Sequence, residues 1–373
     1  MVKPANGQWI ISIMEKFAPK SLAEEGDPIG LQVGTLNKPV KKVMIALDVL
    51  ETVVDEAIEK GVDLIIAHHP MIYRPLKRID TSRSQGRVIE KLIKNDITVY
   101  AAHTNLDVAQ GGVNDWLAEA LKLTNTTVLK PTTMAKYIKL AVFVPKSHVD
   151  KVRDAISSAG AGHIGNYSHC TFNSSGLGTF KPLEGTNPYI GKLGELEIVD
   201  EVKIETIVPE ALKKAVISEM LHAHPYEEVA YDVYPLENEG EFLGIGKIGQ
   251  LEKAMTLEEF VQHVKNSLHV NALRVIKGHN RPIQKVAVVG GDGNKFISAA
   301  QFKGADVLVT GDIYYHNAHD AQAEGLTIID PGHNIEKIMK KGLQQVIAQS
   351  VKEKKYDTEV ICSEVNTDPF MFM

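Results

Sequence analysis

Cysteine is almost missing from this chain, which has two, Cys170 and Cys362, among its 373 residues. Two cysteines are too few for a disulfide framework, and both lie in segments of strand character, where buried and unreactive thiols are expected. The shortage also argues against a structural zinc site built on thiolates. The chain is therefore not expected to depend on disulfide bonds or on a zinc–thiolate centre.

Long apolar runs and an excess of basic residues are missing too. No apolar run approaches 18 residues, and the start of the sequence lacks the basic, apolar and small-residue segments of a signal peptide. Neither membrane insertion nor secretion is expected, and the predicted location is the cytoplasm. The formal net charge of -6 provides no basic face for wrapping nucleic acid, which argues against a nucleic-acid partner.

What the chain does contain is ordinary for a globular protein of two or three domains, with 44% hydrophobic and 24% charged residues. Its first part alternates apolar runs of strand length with amphipathic helices. Strands are predicted at 43–48, 64–67 and 97–101, and helices at 8–18, 84–94 and 113–123. Strand–helix–strand order predicts parallel pairing, so residues 1–130 are expected to form an α/β unit.

The pattern changes after this unit. Residues 126–136 are rich in Thr, Lys and Pro, which predicts a linker. Residues 135–237 then give the element order β-α-β-β-α-β of a ferredoxin-like α+β unit. Because this unit is complete in itself, it is predicted to be a domain inserted into another domain.

An internal repeat supports the insertion. The segment from Pro39 to Asp63 recurs without a gap 243 positions later. The matching pairs are Pro39 and Pro282, Lys42 and Lys285, Val43 and Val286, Ala57 and Ala300, Gly61 and Gly304, and Asp63 and Asp306. Two similar α/β halves, 1–130 and 240–373, are therefore predicted to pack against each other with a cleft between them.

The most informative stretch is the apolar run Leu64–Ala67, which ends abruptly in His68, His69 and Pro70. In open α/β sheets, ligands bind at the carboxyl ends of the strands, and neutral imidazole is the commonest metal ligand among side chains. Two further predicted strands end in the same way. One leads to His103 and Asp107, and the other leads to His333 and Glu336.

Five of these side chains form a mixed imidazole and carboxylate set: His68, His69, Asp107, His333 and Glu336. Such a set suits Zn, Fe, Mn, Co or Ni and exceeds what one tetrahedral zinc needs. Two divalent metal ions that share a bridging carboxylate and a water would use all five, and the expected reaction class is hydrolysis. Taken singly, Asp107 could equally be a turn or cap residue, and Glu336 a carboxylate favoured at a helix start.

His103 and Asp48 are the candidates for catalytic roles. His103 is expected beside the metal ions rather than on them, since metal-bound histidines need neighbours that orient them. Either residue could orient a ligand or carry a proton. In the second half, residues 290–294 (Gly-Gly-Asp-Gly-Asn) predict either a tight turn or a phosphate cradle.

These motifs, in this order, resemble the Nif-three-like family, whose members are also known as GTP cyclohydrolase 1 type 2 homologues. The resemblance runs nearly end to end and rests on Ala46-Leu47-Asp48, Ala67-His68-His69-Pro70, His103-Thr104-Asn105-Leu106-Asp107 and Gly332-His333-Asn334-Ile335-Glu336. The inserted segment resembles the PII-like or CutA-like domain of the longer bacterial members, through Gly176-Leu177-Gly178-Thr179-Phe180 and His224-Pro225-Tyr226-Glu227-Glu228.

The resemblance implies a dinuclear metal site whose ligands are His68, His69, Asp107, His333 and Glu336. It also implies a ring-shaped homo-oligomer, typically a hexamer, with metal sites facing an internal cavity that the PII-like domains cap. The implied function is hydrolysis of a small molecule such as GTP, with water attack at C8 of the guanine. Some members space the last histidine and glutamate by four residues rather than three, which leaves open which metal ion Glu336 contacts.

Two other functions stay open. The chain could be a regulatory or metal-handling protein in which the inserted domain senses a ligand and the metal site is structural or for storage. It could also be an oligomeric scaffold for nucleic acid, against which the net charge argues. Catalytic turnover distinguishes the hydrolase from the metal-handling protein.

Overall fold

The structure is a computed structural model that describes residues 3–372. The chain forms two compact units. One consists of the chain up to Thr133 and from Leu243 onward, and the other consists of Met134–Phe242. Among residues 3–372, every helix is too short or too polar to span a bilayer.

The first half of the larger unit is built around parallel strands that are buried on both faces. Its elements are β1 (Ala5–Asn6), α1 (Gly7–Phe17), β2 (Gly30–Val33), β3 (Pro39–Val40), β4 (Lys42–Ala46), α2 (Glu51–Glu59), β5 (Leu64–Ala67), α3 (Ser84–Lys94), β6 (Thr98–Ala101), α4 (Thr104–Val108) and α5 (Val113–Ala120). β4, β5 and β6 pair in parallel, as predicted. Their almost uninterrupted apolar sequences are typical of parallel strands covered by helices.

The next strand is where the sequence prediction of a linker is wrong. Residues 126–136 lie almost entirely within β7 (Thr124–Met134), which pairs with a strand of the second half. Threonine is β-branched and favours strands, and most side chains of β7 are exposed, so the segment has the polarity of a linker and the backbone of a strand.

The smaller unit has the predicted order β-α-β-β-α-β. Its elements are β8 (Tyr137–Pro145), α6 (Val149–Ser158), β9 (Thr171–Phe180), β10 (Glu197–Pro209), α7 (Lys213–Ala223) and β11 (Tyr231–Leu236). They form an antiparallel sheet of order β11-β8-β10-β9. The helices α6 and α7 pack on it over a core of their own, which includes Val142, Ile204 and Met220.

The second half returns to the larger unit. Its elements are β12 (Phe242–Met255), α8 (Leu257–Leu268), β13 (Arg274–Ile276), β14 (Ile283–Asp292), α9 (Ile297–Phe302), β15 (Val307–Gly311), α10 (Tyr315–Ala323), β16 (Thr327–Asp330), α11 (Met339–Glu353) and β17 (Glu359–Cys362). Its sheet has the order β13-β16-β15-β14-β12-β7, whereas β17 crosses to the first sheet, whose order is β17-β4-β5-β6-β2. The mixed α/β fold predicted from the sequence is thereby confirmed.

The internal repeat is confirmed in atomic detail. In the first half Val43 lies opposite Leu64, and in the second half Val286 lies opposite Val307. Asp63 accepts hydrogen bonds from the backbone N–H groups of residues 41 and 42 through Oδ2. Asp306 does the same for residues 284 and 285. The two halves therefore share strand register and turn chemistry, and not only apolar positions.

The two halves pack on one continuous hydrophobic core. Leu106 and Leu117 of the first half belong to the same buried cluster as Val288 and Leu343 of the second. This packing brings the carboxyl ends of parallel strands from both halves toward each other, and the candidate ligands follow those ends.

Candidate metal centre

Each histidine of the predicted site follows the carboxyl end of a parallel strand. His68 and His69 follow β5, His103 follows β6, and His333 begins a short 3-10 helix, His333–Ile338, three residues after the end of β16. Asp107 lies in α4, and Glu336 lies in the 3-10 helix, three residues after His333. Residues three apart in a 3-10 helix lie above one another, so His333 and Glu336 share a face.

Each of these four imidazoles is anchored through Nδ1. The Nδ1 atom of His68 lies 2.9 Å from the carbonyl oxygen of Ala102, and that of His69 lies 2.7 Å from Oδ1 of Asp48. His103 and His333 lie 3.0 and 2.6 Å from carboxylate oxygens of Asp27 and Asp312. An anchored Nδ1 leaves Nε2 of each ring available to a metal ion.

The structure brings the five predicted ligands together in two overlapping triads. One triad is His69, His333 and Glu336, and the other is His68, Asp107 and Glu336. The ligand atoms within each triad lie within 4.8 Å of one another. Oε2 of Glu336 lies 3.0 Å from Nε2 of His69, 3.1 Å from Nε2 of His333 and 3.7 Å from Nε2 of His68. Glu336 thus belongs to both triads.

A third triad contains His68, His69 and His103. His103 therefore lies within reach of a metal ion held by its two neighbours, although the sequence favours a position beside the ions for it. Its ring centroid lies 5.2 Å from that of His68 and 5.7 Å from that of His69.

Burial and unsatisfied polar atoms indicate that the second triad fits a cation. His68 is fully buried and Glu336 is 3% exposed. Within the described chain, His68 Nε2 and Asp107 Oδ1 are buried without a hydrogen-bond partner, and they lie 3.6 Å apart. Unsatisfied buried polar atoms are costly, and a divalent cation between an imidazole nitrogen and a carboxylate oxygen would satisfy both.

The carboxylates of the site raise the pKa values of three of its histidines. Burial lowers the pKa of His69, but hydrogen bonds to Asp48 and Glu336 raise it to about 10. The Glu336 carboxylate likewise raises the pKa of His333 to about 9. Burial lowers the pKa of His68, but the Asp107 and Glu336 carboxylates raise it, and the net pKa is above its usual value.

The pKa values of the two carboxylates, Asp107 and Glu336, shift in opposite directions. Burial raises the pKa of Asp107 to about 6, although the nearby histidines lower it. Burial also raises the pKa of Glu336, but His68, His333 and His69 surround this carboxylate and hold its pKa well below its usual range. Positive charge at the centre of the site is what keeps Glu336 ionised, and bound cations would provide the same charge.

A close backbone approach shapes one wall of the site. A Cβ atom at Gly291 would lie 2.7 Å from Oε1 of Glu336 and 3.3 Å from Nε2 of His333. Gly291 also has a φ of +64°, which favours glycine. The turn at 290–294 therefore makes room for Glu336 and His333, and the side chain of Asp292 closes it by accepting from the N–H of Asn294.

Comparison with known proteins identifies the family. A model of the family described as Duf34/NIF3 (NGG1p interacting factor 3) matches residues 5–369 of the chain. The chain belongs to this family. The Nif-three-like resemblance seen in the sequence motifs is thereby confirmed.

Relatives of similar length share the fold of this NIF3-family chain. The GTP cyclohydrolase 1 type 2 homolog of Halalkalibacterium halodurans is 59% identical over 372 residues, which cover 100% of both chains. A crystal structure of a Bacillus cereus protein related to NIF3 is 59% identical, with a TM-score of 0.90 over 100% of both chains. A Staphylococcus aureus protein is 33% identical, with a TM-score of 0.72 over 99% of both chains.

Two carboxylates of this NIF3-family site were not named as site residues from the sequence. Asp312 holds Nδ1 of His333, and it stands 243 positions after His69, so the repeat was the signal that could have found it. Asp27 holds His103 and also accepts from the N–H of Thr104 at 3.0 Å. It lies between α1 and β2, outside the motifs from which the sequence predicts the site.

Asp48 lies where the sequence predicts it, beside the ligands, but its oxygens already have partners. Oδ1 lies against His69, and Oδ2 accepts from the hydroxyl of Thr367. Burial raises the pKa of Asp48, but these hydrogen bonds lower it, so that the net pKa is below its usual value. An ionised carboxylate with both oxygens engaged is suited to orienting His69 rather than to carrying a proton.

Proposed function

We propose that this chain is a metal-dependent hydrolase that holds two divalent metal ions in the cleft between its α/β halves. The observation that supports this most strongly is the pair of triads that share Glu336. Three ligands for each ion, with one carboxylate in common, make the arrangement expected of a dinuclear site. Imidazole and carboxylate donors suit Zn, Fe, Mn, Co or Ni.

Each residue of the site has a role in this proposal. His69 and His333 would hold one ion, His68 and Asp107 would hold the other, and Glu336 would contribute to both. Bound ions would lower the pKa of a water molecule and polarise the bond under attack. Asp48, Asp312 and the Ala102 carbonyl orient the imidazoles through Nδ1, which would leave Nε2 of each ring to bind an ion.

His103 is the proposed proton carrier. Its Nδ1 is held by Asp27, which is itself anchored by Thr104, and this pair resembles the histidine–carboxylate arrangements that fix an imidazole for proton transfer. His103 is about one-quarter exposed, so its free nitrogen can reach both the site and a substrate. Asp48 is proposed as a positioning residue.

The proposed substrate is a small molecule, and GTP is the first one to test. The support for GTP is the name of the relatives, GTP cyclohydrolase 1 type 2 homolog. Hydrolysis of GTP would add water at C8 of the guanine and break the ring C–N bond. The product would contain the elements of GTP and one water.

Metal content tests the site before any substrate is known. Protein purified without chelators should contain about two transition-metal ions per chain by elemental mass spectrometry, falling to one or none in Glu336→Ala. His222→Ala removes an exposed histidine of the inserted unit and serves as the matched control, with unchanged content expected. No bound metal in the wild type, even after incubation with Zn, Mn or Fe, would contradict the proposal.

Turnover then separates a hydrolase from a metal-handling protein. The metal-loaded protein should hydrolyse GTP or another nucleotide in a chromatographic assay, and His69→Ala should abolish the activity. His103→Ala should lower kcat about 10²-fold or more while metal content is kept, because a general acid or base contributes on this order. Two bound metal ions without turnover of any nucleotide would favour metal handling instead.

The oligomeric state is also part of the proposal. We expect a homo-oligomeric ring, with the hexamer as the specific expectation, and a PII-like or CutA-like role for the inserted unit in capping it. Light scattering coupled to size-exclusion chromatography measures the mass directly, and six copies of the 41.0 kDa chain are expected. A monomer at micromolar concentration would contradict this expectation.

A further inference from the structure

A well-formed cavity lies within the inserted unit, Met134–Phe242, and has no part in the metal centre. Its volume is about 350 Å³, which is in the range of small-molecule pockets. The floor comes from β8, β10 and the segment after α7, and the roof comes from residues 181–190 of the loop between β9 and β10. Glu227 fastens this loop by accepting from the N–H of Asn187 at 2.9 Å.

A carboxylate is the main polar group of the floor. Glu201 is 9% exposed and lines the cavity. A Cβ atom at Gly178, on the neighbouring strand, would overlap its carboxylate, so the glycine provides the space that the carboxylate occupies. Lys146 and Lys203 pair with Asp200 and Glu205 instead, and within residues 3–372 no cation pairs with Glu201.

Aromatic rings surround this carboxylate. Phe180, Tyr189 and Tyr226 line the cavity, with ring centroids 5.8 Å apart for Phe180 and Tyr226 and 6.2 Å apart for Tyr189 and Tyr226. The Tyr226 hydroxyl is buried and has no hydrogen-bond partner within the described chain. Burial and the nearby Glu201 carboxylate both raise the pKa of Tyr226, so the hydroxyl stays neutral and can accept a hydrogen bond.

The balance of charge in the cavity favours a positive ligand. Its charged lining residues are Glu201, Glu227 and Glu228 against a single cation, Lys181. Lys181 is exposed, whereas Glu201 is buried. A largely buried carboxylate without a paired cation is costly, and aromatic faces attract cations, so both features favour the same class of ligand.

We propose that this cavity binds a small organic cation, an amine with an aromatic or otherwise apolar body, whose ammonium group pairs with Glu201 while its body packs against Phe180, Tyr189 and Tyr226. The ammonium donates to the Glu201 carboxylate and to the Tyr226 hydroxyl oxygen. The site is independent of the metal centre and would make the inserted unit a sensor of an amine.

Three matched probes test the charge requirement on the full chain without any variant. Tryptamine is a cation, tryptophol is its neutral analogue, and indole-3-propionate is an anion with the same ring. Calorimetric titration should show tryptamine binding about tenfold or more tightly than tryptophol, as a charge-assisted hydrogen bond provides, and the anion binding most weakly. Equal affinities, a preference for the anion, or no saturable binding of tryptamine would overturn the proposal.

Variants then assign the pairing to Glu201. Glu201→Gln should bring the affinity for tryptamine down to about that for tryptophol, and Tyr226→Phe should weaken tryptamine severalfold. Asp200→Asn removes the same charge from the adjacent position, which points to the other face of β10, and should leave all three affinities unchanged. Tryptamine affinity that survives Glu201→Gln, with the fold intact by circular dichroism, would show that the cation binds elsewhere.

Discussion

At the scale of single residues, the candidate centre depends on how its imidazoles are held. Nδ1 of each ring lies against an oxygen that accepts a hydrogen bond. That oxygen belongs to a backbone carbonyl for His68 and to a carboxylate for His69, His103 and His333. This arrangement fixes ring orientation and tautomer before any ion binds. Hydrogen bonds to Asp48 and Glu336 raise the pKa of His69, and those to Glu336 and Asp312 raise the pKa of His333, so that metal ions and protons compete for the same nitrogens.

Metal binding should therefore release protons. With pKa values of about 10 and 9, His69 and His333 are protonated in the metal-free protein near neutral pH, and a ligand nitrogen must be deprotonated to bind. Calorimetric titration of zinc at about pH 7.5, in two buffers of different ionisation enthalpy, should show release of at least one proton per chain. Affinity should rise with pH. Binding without proton release would show that these nitrogens are not ligands.

The same pKa values predict how the stability of the metal-free protein depends on pH. A histidine whose pKa is raised in the folded state stabilises the protein fully below its unfolded pKa of about 6.5. That contribution is lost as the pH rises through about 9 for His333 and about 10 for His69. Urea denaturation of the chelator-treated protein should give a free energy of unfolding that falls between about pH 7 and pH 10. His69→Gln should flatten this fall.

Gly291 provides a residue-scale test of the site wall. In Gly291→Ala the new Cβ would lie 2.7 Å from Oε1 of Glu336, so Glu336 must shift and metal content should fall by about half or more. Gly304→Ala is the matched control, because Gly304 has a similar φ of +68° and its Cβ would meet only the end of Lys285 at 3.9 Å. If both variants keep two metal ions, the wall does not constrain the site.

At the scale of elements, the two halves repeat the same turn. Asp63 and Asp306 each accept two backbone N–H groups at the start of the preceding strand, 243 residues apart. These shared hydrogen bonds explain why an aspartate recurs in the repeat. It fixes the register of β4 against β5 and of β14 against β15, and register in turn places the strand ends that carry the ligands.

Removing either aspartate should therefore lower the free energy of unfolding by a similar amount. Asp63→Ala and Asp306→Ala each leave two N–H groups without their acceptor, and each should lower the free energy of unfolding by about 1–2 kcal/mol in urea denaturation. Asp320→Ala, an exposed position on α10, should stay within about 0.5 kcal/mol of the wild type. A large difference between the two turn variants would show that the halves do not use the turn equivalently.

The element that sequence patterns misjudged is β7. Its sequence, Thr124–Met134, is polar because most of its side chains are exposed at the edge of the second sheet. Polarity is the usual signal of a linker, whereas edge strands combine the same polarity with β-branched residues. Only the pairing of β7 with β12, more than 100 positions later, distinguishes the two.

At the scale of the whole molecule, the two units have separate cores. The clusters around Leu106, Val53 and Val289 contain only residues of the larger unit, and the cluster around Val142 contains only residues of the inserted one. A unit with its own core can fold alone. Where the chain enters and leaves the inserted unit, the N–H of Ala135 donates to the carbonyl of Glu241 at 2.9 Å, so its two ends are adjacent.

Deletion of the insert should therefore leave a folded, metal-binding protein. Replacing residues 136–240 with an Asn-Gly turn would join β7 and β12 as a hairpin, since the strands are neighbours in the sheet. The shortened chain should keep a cooperative thermal transition and the wild-type metal content, but should lose tryptamine binding. Loss of metal with a folded chain would mean that the insert contributes to the site.

The sequence by itself determined the family, the mixed α/β fold, the internal repeat and the five residues of the two triads. These follow from local signals: apolar runs that end in histidine, and spacings that survive in a repeat. Tertiary structure alone decided that Glu336 belongs to both triads, that Asp27 and Asp312 hold His103 and His333, and that Glu201 lies among aromatic rings. The physical reason is distance along the chain, because a contact between residues far apart in sequence depends on how whole elements pack, and no local pattern records it.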